Sequence, residues 1–179
     1  MRIILFLLLF AGSLLHAQDA RLAQQYFNDG EYEKAASVYQ ALYQKNPASE
    51  GYFNRYLDCL MALRKFEECE DLVRREISKR PKEVTLYVSY GNLLSRRNET
   101  DKAERQYQEA IDRLQGDVSM IHRLANSFSQ ITRYDLAIQT FEKGEKLMKN
   151  QIYFTYNLAD MYRRKGDLET MVRYFLDGL

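Results

Sequence analysis

The sequence predicts an all-α protein built from a repeated pair of antiparallel helices. Gly and Pro are scarce, with 8 and 2 among 179 residues, where average usage gives about twice as many. The chain also aligns to itself without insertion at the interval that separates Pro47 from Pro81, which is 34 residues. Within each interval, apolar residues recur at helical spacing. Turn-rich β folds and disordered linkers are therefore disfavoured.

Residues 1–17 have the three-part layout of a secretory signal. Arg2 precedes the apolar stretch Ile3–Leu15, and Ala17 offers the small residue that signal peptidase requires. The stretch is shorter than the roughly 20 apolar residues of a spanning helix. We predict cleavage after Ala17 and a mature protein in the periplasm or outside the cell. The alternative is an uncleaved segment that anchors the protein in the membrane. Signals that end in Ala-Gln resemble those of Bacteroidota envelope proteins.

The charges of the chain nearly cancel. Lys and Arg number 26 and Asp and Glu number 25. Cleavage removes Arg2, the one charged residue of 1–17, and leaves 25 of each sign. A neutral chain is a poor ligand for nucleic acid or an acidic membrane surface through bulk charge. We therefore predict no nucleic-acid partner and expect any recognition to be local.

Residues 18–179 form a single array in this prediction. The repeats are 16–49, 50–83, 84–117, 118–151 and an incomplete 152–179, which begin at His16, Glu50, Val84, Val118 and Ile152. One turn recurs between the two helices of each repeat, and its slot holds Gly30, Arg64, Asn98, Thr132 or Gly166. Gly and Asn tolerate a left-handed backbone. Because Arg64 and Thr132 share the slot, the requirement for such residues is not absolute.

Small and large residues alternate at fixed places in the repeat. Small residues predominate at the eighth and twentieth positions, which hold Ala23, Leu57, Gly91, Ala125 and Ala159, then Ala35, Cys69, Ala103, Ala137 and Met171. Large apolar residues fill the eleventh and twenty-fourth, which hold Tyr26, Leu60, Leu94, Phe128 and Tyr162, then Tyr39, Val73, Tyr107, Phe141 and Phe175. At 100° per residue these positions form one buried stripe per helix.

These residues resemble the tetratricopeptide repeat (TPR) family. The first repeat matches that pattern at Leu22-Ala23, Tyr26, Gly30, Tyr32, Ala35, Tyr39 and Pro47. The resemblance covers the mature chain and implies a right-handed α-solenoid of about five stacked helix pairs. The second repeat departs most, with Leu57, Cys69 and Glu76 at small-residue positions. A related family that reads RNA has a repeat about one residue longer. The predicted export and the zero net charge of the mature chain disfavour membership of that family.

Catalytic and metal-binding patterns are missing from the sequence. His122 is the one histidine of the mature chain, the glycines are scattered singly, and neither a paired-Cys metal spacing nor a nucleophile elbow occurs. No pair of carboxylates stands apart from the many acidic residues on helix surfaces. We therefore predict a protein that is not an enzyme and has no metal site and no cofactor.

Cys59 and Cys69 invite a disulfide, because an exported protein meets an oxidising compartment. In the repeat register, however, Cys69 faces Leu57, and Cys59 lies about 200° further around that helix. Bridged Cα atoms lie within about 7 Å of each other. We therefore predict two unpaired, buried thiols and no disulfide.

The TPR resemblance implies a concave side lined by the first helices of the repeats. The ninth positions there are all amides or acids: Gln24, Asp58, Asn92, Asn126 and Asp160. Such a ladder can hydrogen-bond an extended peptide whatever its sequence, although exposed helix positions are polar in any case. The predicted partner-binding residues are Asn54, Asp58, Asn92, His122, Asn126, Tyr156, Asp160 and Arg163. In the resembled family the fifth positions share that concave side, and here they hold Ala20, Asn54, Val88, His122 and Tyr156. Because none of them is Lys, a receptor for C-terminal carboxylates is disfavoured.

Three arginine pairs occur at Arg74-Arg75, Arg96-Arg97 and Arg163-Arg164. Their simplest role is a solvated surface near helix ends, where cations suit the helix dipole. The alternative is contact with an acidic partner, above all through Arg163-Arg164.

The predicted function is a non-enzymatic scaffold of the bacterial cell envelope that binds a protein or extended peptide in its concave groove. One alternative is a structural subunit of an outer-membrane assembly or secretion complex, which implies a membrane-associated complex. Another is the amino-terminal recognition region of a longer multidomain enzyme or regulator. The last helix ends at Asp177-Gly178-Leu179 without a polar capping helix. We therefore expect self-association, a partner or further chain at that edge.

Overall fold

The computed structural model describes residues 18–149 and 154–178. The predicted signal segment 1–17 and the expected repeat start at Ile152 lie outside the described residues. Every regular element within the described ranges is a helix, which confirms the all-α class. The helices of these ranges are α1 (18–28), α2 (Tyr32–Lys45), α3 (Glu50–Ala62), α4 (Phe66–Lys79), α5 (Val84–Arg96), α6 (Thr100–Asp112), α7 (Val118–Gln130), α8 (Tyr134–Leu147), α9 (Thr155–Lys165) and α10 (Leu168–Asp177).

The helix starts in the described ranges recur at intervals of 34 residues. First helices begin at Glu50, Val84 and Val118, the residues that open the second, third and fourth repeats. Second helices begin at Tyr32, Phe66, Thr100, Tyr134 and Leu168, each 34 residues after the one before. The period therefore fixes where helices start even where the residue type changes.

The turn between the two helices of a repeat adopts a left-handed backbone in all five repeats. The φ angles are 78° at Gly30, 58° at Arg64, 61° at Asn98, 61° at Thr132 and 88° at Gly166. The next backbone N–H donates to the carbonyl of the eleventh residue of the repeat, as from Glu31 to Tyr26 at 2.8 Å and from Lys65 to Leu60 at 2.9 Å. This is the Schellman pattern of a helix C-terminus. The residue type at the slot varies, as the sequence showed, but the conformation does not.

The helices fall into two compact units, and the division between Cys69 and Glu70 lies within α4. In the first unit, α2 packs against α3. A buried cluster joins small and large residues of α1, α2 and α3: Ala23, Ala35, Ala36, Tyr39, Leu42 and Cys59. Ala23 and Ala35 have no exposed surface. The predicted small-residue contact between the first two helices is therefore confirmed.

In the second unit, α5 packs against α6 and α7, α6 against α8, α7 against α8, α8 against α9, and α9 against α10. Gly91 of α5 shows why its position needs a small residue. The ring of Tyr107 on α6 occupies the space that a Cβ at Gly91 would fill. The same ring meets Phe128 of the next pair edge-on, with 5.7 Å between ring centroids. One aromatic side chain thus joins two successive helix pairs.

Glu76 is a buried acid at a position where other repeats carry apolar residues. It is 3% exposed, whereas the equivalent positions hold Leu42 and Ala110. Its carboxylate accepts hydrogen bonds from Lys79 Nζ and Arg80 Nη2, both at 2.9 Å. Burial of an unpaired carboxylate is costly. Lys79 and Arg80 offset this cost because both pair with the Glu76 carboxylate.

The last helix departs from the predicted core. Phe175 of α10 is 42% exposed, although its counterparts Tyr39, Val73, Tyr107 and Phe141 are buried. The prediction that Phe175 lies in the core is wrong. In the described structure α10 packs against α9, whereas α8 packs against both α7 and α9. A second helix needs a neighbour on each side to bury its stripe.

The left-handed turn generates a prediction about stability. Thr132 is β-branched and strained at positive φ, whereas Asn adopts this conformation more readily. We expect Thr132→Asn to raise the free energy of unfolding by about 1 kcal/mol, measured by urea denaturation. The matched change Gly30→Thr introduces the same strain and is expected to lower it by a similar amount. Equal stability of all three proteins would contradict the argument.

A second prediction concerns the thiols. Cys59 and Cys69 are free and fully buried, and burial raises their thiol pKa to about 11 and about 12. Because the thiolate is the reactive form, we expect a thiol-labelling reagent to miss both in the native protein. Both should be labelled after unfolding without a reductant. A mass increase of two protons on reduction would contradict the free-thiol assignment.

Candidate partner-binding surface

The predicted partner-binding residues all lie on first helices of the repeats. Asn54 and Asp58 belong to α3 in the first unit. The others belong to the second unit: Asn92 on α5, His122 and Asn126 on α7, and Tyr156, Asp160 and Arg163 on α9. Their surroundings differ from one helix to the next, so the predicted ladder is not a uniform row.

In the first unit, the ladder groups already have partners. Gln24 of α1 donates to Asn28 Oδ1 at 2.9 Å and accepts from the hydroxyl of Tyr39 at 3.4 Å. Asp58 is half-buried, with Oδ2 at 3.8 Å from Nη1 of Arg55. Asn54 is also half-buried. The amide of Gln24 is thus occupied within its own unit.

In the second unit, Asn92 and Asn126 hold the same position on α5 and α7, which pack against each other. Asn92 is half-buried and Asn126 is exposed. Neither side-chain amide hydrogen-bonds another part of the described chain. Arg96 and Gln130 follow four residues later, both exposed, and this spacing places them on the same helix faces. We call these four residues the amide face.

The amide face begins later along α5 than the sequence analysis implied. The fifth position of that repeat, Val88, was expected to share the concave side. Val88 is 3% exposed and Thr85 is 8% exposed, so both are buried. That part of the expectation is wrong, because the first two turns of α5 lie inside the protein. The open surface of α5 starts at Asn92.

His122 lies at the margin of the aromatic core. Its half-buried ring meets Phe141 and Phe154 edge-on, with centroid distances of 5.6 and 5.3 Å. Both phenylalanines are buried. The imidazole is therefore held in place by packing, which limits the orientations in which it can meet a partner.

Asp160 binds both arginines of the last pair. Its Oδ1 accepts from Arg163 Nη2 at 2.6 Å and its Oδ2 from Arg164 Nε at 2.7 Å. Burial raises the pKa of this carboxyl, but the hydrogen bonds from Arg163 and Arg164 outweigh burial and the pKa is lowered. The carboxylate therefore stays charged and pairs with both cations. Arg163-Arg164 is thus an ion cluster that contains its own acid and keeps a net positive charge.

Tyr156 belongs to the edge formed by α9 and α10. It is 56% exposed. Its hydroxyl donates to the Gly178 carbonyl at 3.3 Å, and its ring lies 5.9 Å from that of Phe175. Of the predicted residues, the structure thus places Asn92 and Asn126 at the same position of two packed helices, and it joins Asp160 with Arg163 and Tyr156 with α10. Gln130 is not among the predicted residues, although its spacing of four residues from Asn126 was a usable signal.

The other polar clusters of the second unit join helices to each other. Glu70 of α4 accepts from the Tyr90 hydroxyl at 2.8 Å and from Arg97 at 2.6 Å, and the hydrogen bond from Tyr90 is the main cause of its lowered pKa. Arg133 binds Glu104 through both ends of its guanidinium group, at 2.6 and 3.1 Å. These contacts stabilise neighbouring helices.

The described residues contain no group of three or more His, Cys, Asp or Glu side chains placed to hold a metal ion. None of the described helices combines the length and apolarity needed to cross a membrane.

Comparison with known proteins gives one curated relative of interest. Residues within this chain are 29% identical over 94 residues to the human protein O-mannosyl-transferase TMTC2. The match covers 51% of this chain and 11% of that protein. The chain thus corresponds to about a tenth of the relative's length.

Several solved structures are similar at low identity. MamA from Desulfovibrio magneticus RS-1 is 15% identical, with 90% of this chain and 92% of that chain covered and a TM-score of 0.46. A thermophilic TPR protein of Thermus thermophilus is 12% identical, with 90% and 89% covered and a TM-score of 0.46. A chain of the Naa15/Naa10 complex bound to HypK-THB is 21% identical, with 92% and 25% covered and a TM-score of 0.43.

A family model covers most of the described repeats. The model of the PRP39 N-terminal HAT repeat matches residues 17–133, which span the first three predicted repeats and the beginning of the fourth. This match agrees with the 34-residue period and the helix pairs of the structure. Together they show a TPR-like helical repeat, as the resemblance inferred from the sequence implied. The chain belongs to the PRP39 N-terminal HAT repeat family.

Proposed function

We propose that this protein is a non-enzymatic scaffold that binds an extended segment of a protein partner on the amide face. The observation that carries the proposal is the pair Asn92 and Asn126. Both amides occupy the same position on packed helices, and neither hydrogen-bonds another part of the described chain. TPR-like repeat folds are typical of protein–protein interaction, and the amide face is the local chemistry that suits this role.

The spacing of the two amides fits a peptide backbone. Packed helices lie about 8–10 Å apart, and an extended chain advances about 3.3 Å per residue. Amides on neighbouring helices therefore meet backbone groups about three residues apart. Because each amide has both a donor and an acceptor, it can bind a peptide group without reading its side chain.

Arg96 and Gln130 add a limited preference to this mode of binding. Arg96 is exposed and forms no ion pair within the described residues. A guanidinium group beside a neutral amide favours an acidic side chain on the peptide. Gln130 of α7 holds the position equivalent to Arg96, where it offers a second amide four residues after Asn126. The preferred ligand is thus an extended, mildly acidic segment.

The site of action in this proposal is the bacterial cell envelope. The support is the layout of residues 1–17, where one basic residue, an apolar stretch and Ala17 follow in the order of a secretory signal. Cleavage after Ala17 would release the protein into the periplasm or the medium. Retention of the segment would instead anchor it, and amino-terminal sequencing of the purified protein distinguishes the two.

The amide face generates a binding prediction. Peptides selected from a phage-displayed library on the wild-type protein serve as the probe. We expect the double change Asn92→Ala and Asn126→Ala to weaken their binding about tenfold, which corresponds to two net hydrogen bonds of about 0.7 kcal/mol each. Fluorescence anisotropy of labelled peptides measures the dissociation constants.

The matched control removes two exposed amides from second helices. Gln40 of α2 and Gln139 of α8 are exposed, so Gln40→Ala with Gln139→Ala should leave the dissociation constants unchanged. Circular dichroism and urea denaturation verify that both double variants fold. Unchanged affinity of the Asn92 and Asn126 variant, or equal loss in the control, would rule out the amide face as the binding site.

A further inference from the structure

Helix α10 presents an apolar stripe to solvent. Four of its large hydrophobic residues lie at spacings that place them on one helix face, and Tyr156 extends the surface through its contact with Phe175. The exposed fractions are 59% for Leu168, 48% for Val172, 42% for Phe175, 65% for Leu176 and 56% for Tyr156. These five residues make up most of the large hydrophobic side chains exposed in the described chain. We call them the α10 stripe.

The corresponding helix one repeat earlier has this face covered. Phe141 of α8 is 1% exposed, and α8 packs against α9 as well as α7. Phe175 is the equivalent of Phe141 in the repeat, yet it remains open. The α10 stripe thus has the apolar character of a buried helix face. At the position of Phe175, the other second helices of the second unit bury their large residue, as α6 does with Tyr107 and α8 with Phe141.

We propose that a second copy of this protein covers the α10 stripe. In this arrangement α10 packs antiparallel against α10 of the second copy, around a two-fold axis that passes near Met171. Leu168 of one copy then lies opposite the Phe175–Leu176 end of the other, and Val172 lies near the axis. A two-fold contact needs only one self-complementary surface, and the charges beside the stripe provide that complementarity.

Glu169 and Arg173 flank the stripe on the same side of α10. Both are exposed, and neither forms an ion pair within the described residues. In an antiparallel pair related by a two-fold axis, the same flank of each helix lies on the same side. Glu169 then faces Arg173 of the second copy, and this pair occurs twice. In a parallel pair the two-fold axis runs along the helices and places this flank of the two copies on opposite sides of the interface, so Glu169 and Arg173 of one copy do not meet those of the other. Only the antiparallel arrangement therefore pairs these opposite charges between the copies.

The exposed area limits the size of the contact. The two aromatic side chains present roughly 150–250 Å² each and the Leu and Val side chains somewhat less, and about half of each is open here. The stripe therefore offers on the order of 400–500 Å² per copy, or about 1,000 Å² for two copies with the flanking charges, which lies at the low end for specific interfaces. We therefore expect a reversible dimer with a dissociation constant in the micromolar range.

Sedimentation equilibrium of protein purified from cells that express all 179 residues tests the proposal. The wild type should show a monomer–dimer equilibrium, and Val172→Glu or Leu176→Glu should weaken dimerisation at least tenfold. Leu147→Glu is the matched control, because Leu147 of α8 is 39% exposed and lies outside the stripe. Its dimerisation should equal that of the wild type. A monomeric wild type, or equal weakening by Leu147→Glu, would overturn the proposal.

Charge reversal tests the antiparallel geometry without removing apolar surface. Glu169→Arg or Arg173→Glu alone should weaken dimerisation, because each places like charges opposite each other. The double variant with both changes recreates the pairs in reverse and should restore the wild-type dissociation constant. Failure of the double variant to recover, while both single variants fold and weaken dimerisation, would overturn the two-fold arrangement. This readout is independent of peptide binding to the amide face.

Discussion

The left-handed turn at the end of each first helix is the constraint on which the repeat depends. It sets the point where the chain reverses, and the Schellman hydrogen bond fixes the turn to the eleventh residue of the repeat. Because the second helix starts two residues after the left-handed residue in every repeat, the two helices always meet in the same register. Arg64 and Thr132 adopt this conformation although their side chains disfavour it. Packing on both sides of the turn therefore outweighs the local strain.

Once the register is fixed, packing depends on how neighbouring positions share volume. Gly91 leaves space that the Tyr107 ring fills, and that ring reaches Phe128 in the next pair. At Glu76 a buried carboxylate replaces an apolar side chain, and two cations neutralise its charge. Interiors of native density allow few voids, so each repeat balances its own volume and charge locally. The repeat tolerates changes of residue type for this reason.

The two surfaces proposed for recognition differ in what the described chain leaves without an internal contact. One has unused hydrogen-bonding groups and the other has exposed apolar side chains. On the amide face, Asn92 and Asn126 keep hydrogen-bonding groups that the described chain leaves unused. At α10, large apolar residues lie where an earlier repeat packs against a following helix. Elsewhere the polar groups are compensated, as Asp160 is by its two arginines. In a chain whose charges nearly cancel, such local differences are what a partner can recognise.

The sequence by itself determined the helix pairs, their period and most of the core. These depend on residue spacing along a helix, which is a local property. Only the tertiary structure decided which polar positions are open. Val88 and Gln24 belong to the same expected face as Asn92, but one is buried and the other is hydrogen-bonded internally. The same holds for Phe175, which matches the core pattern and yet lies exposed. Burial depends on neighbours that spacing within one helix does not specify.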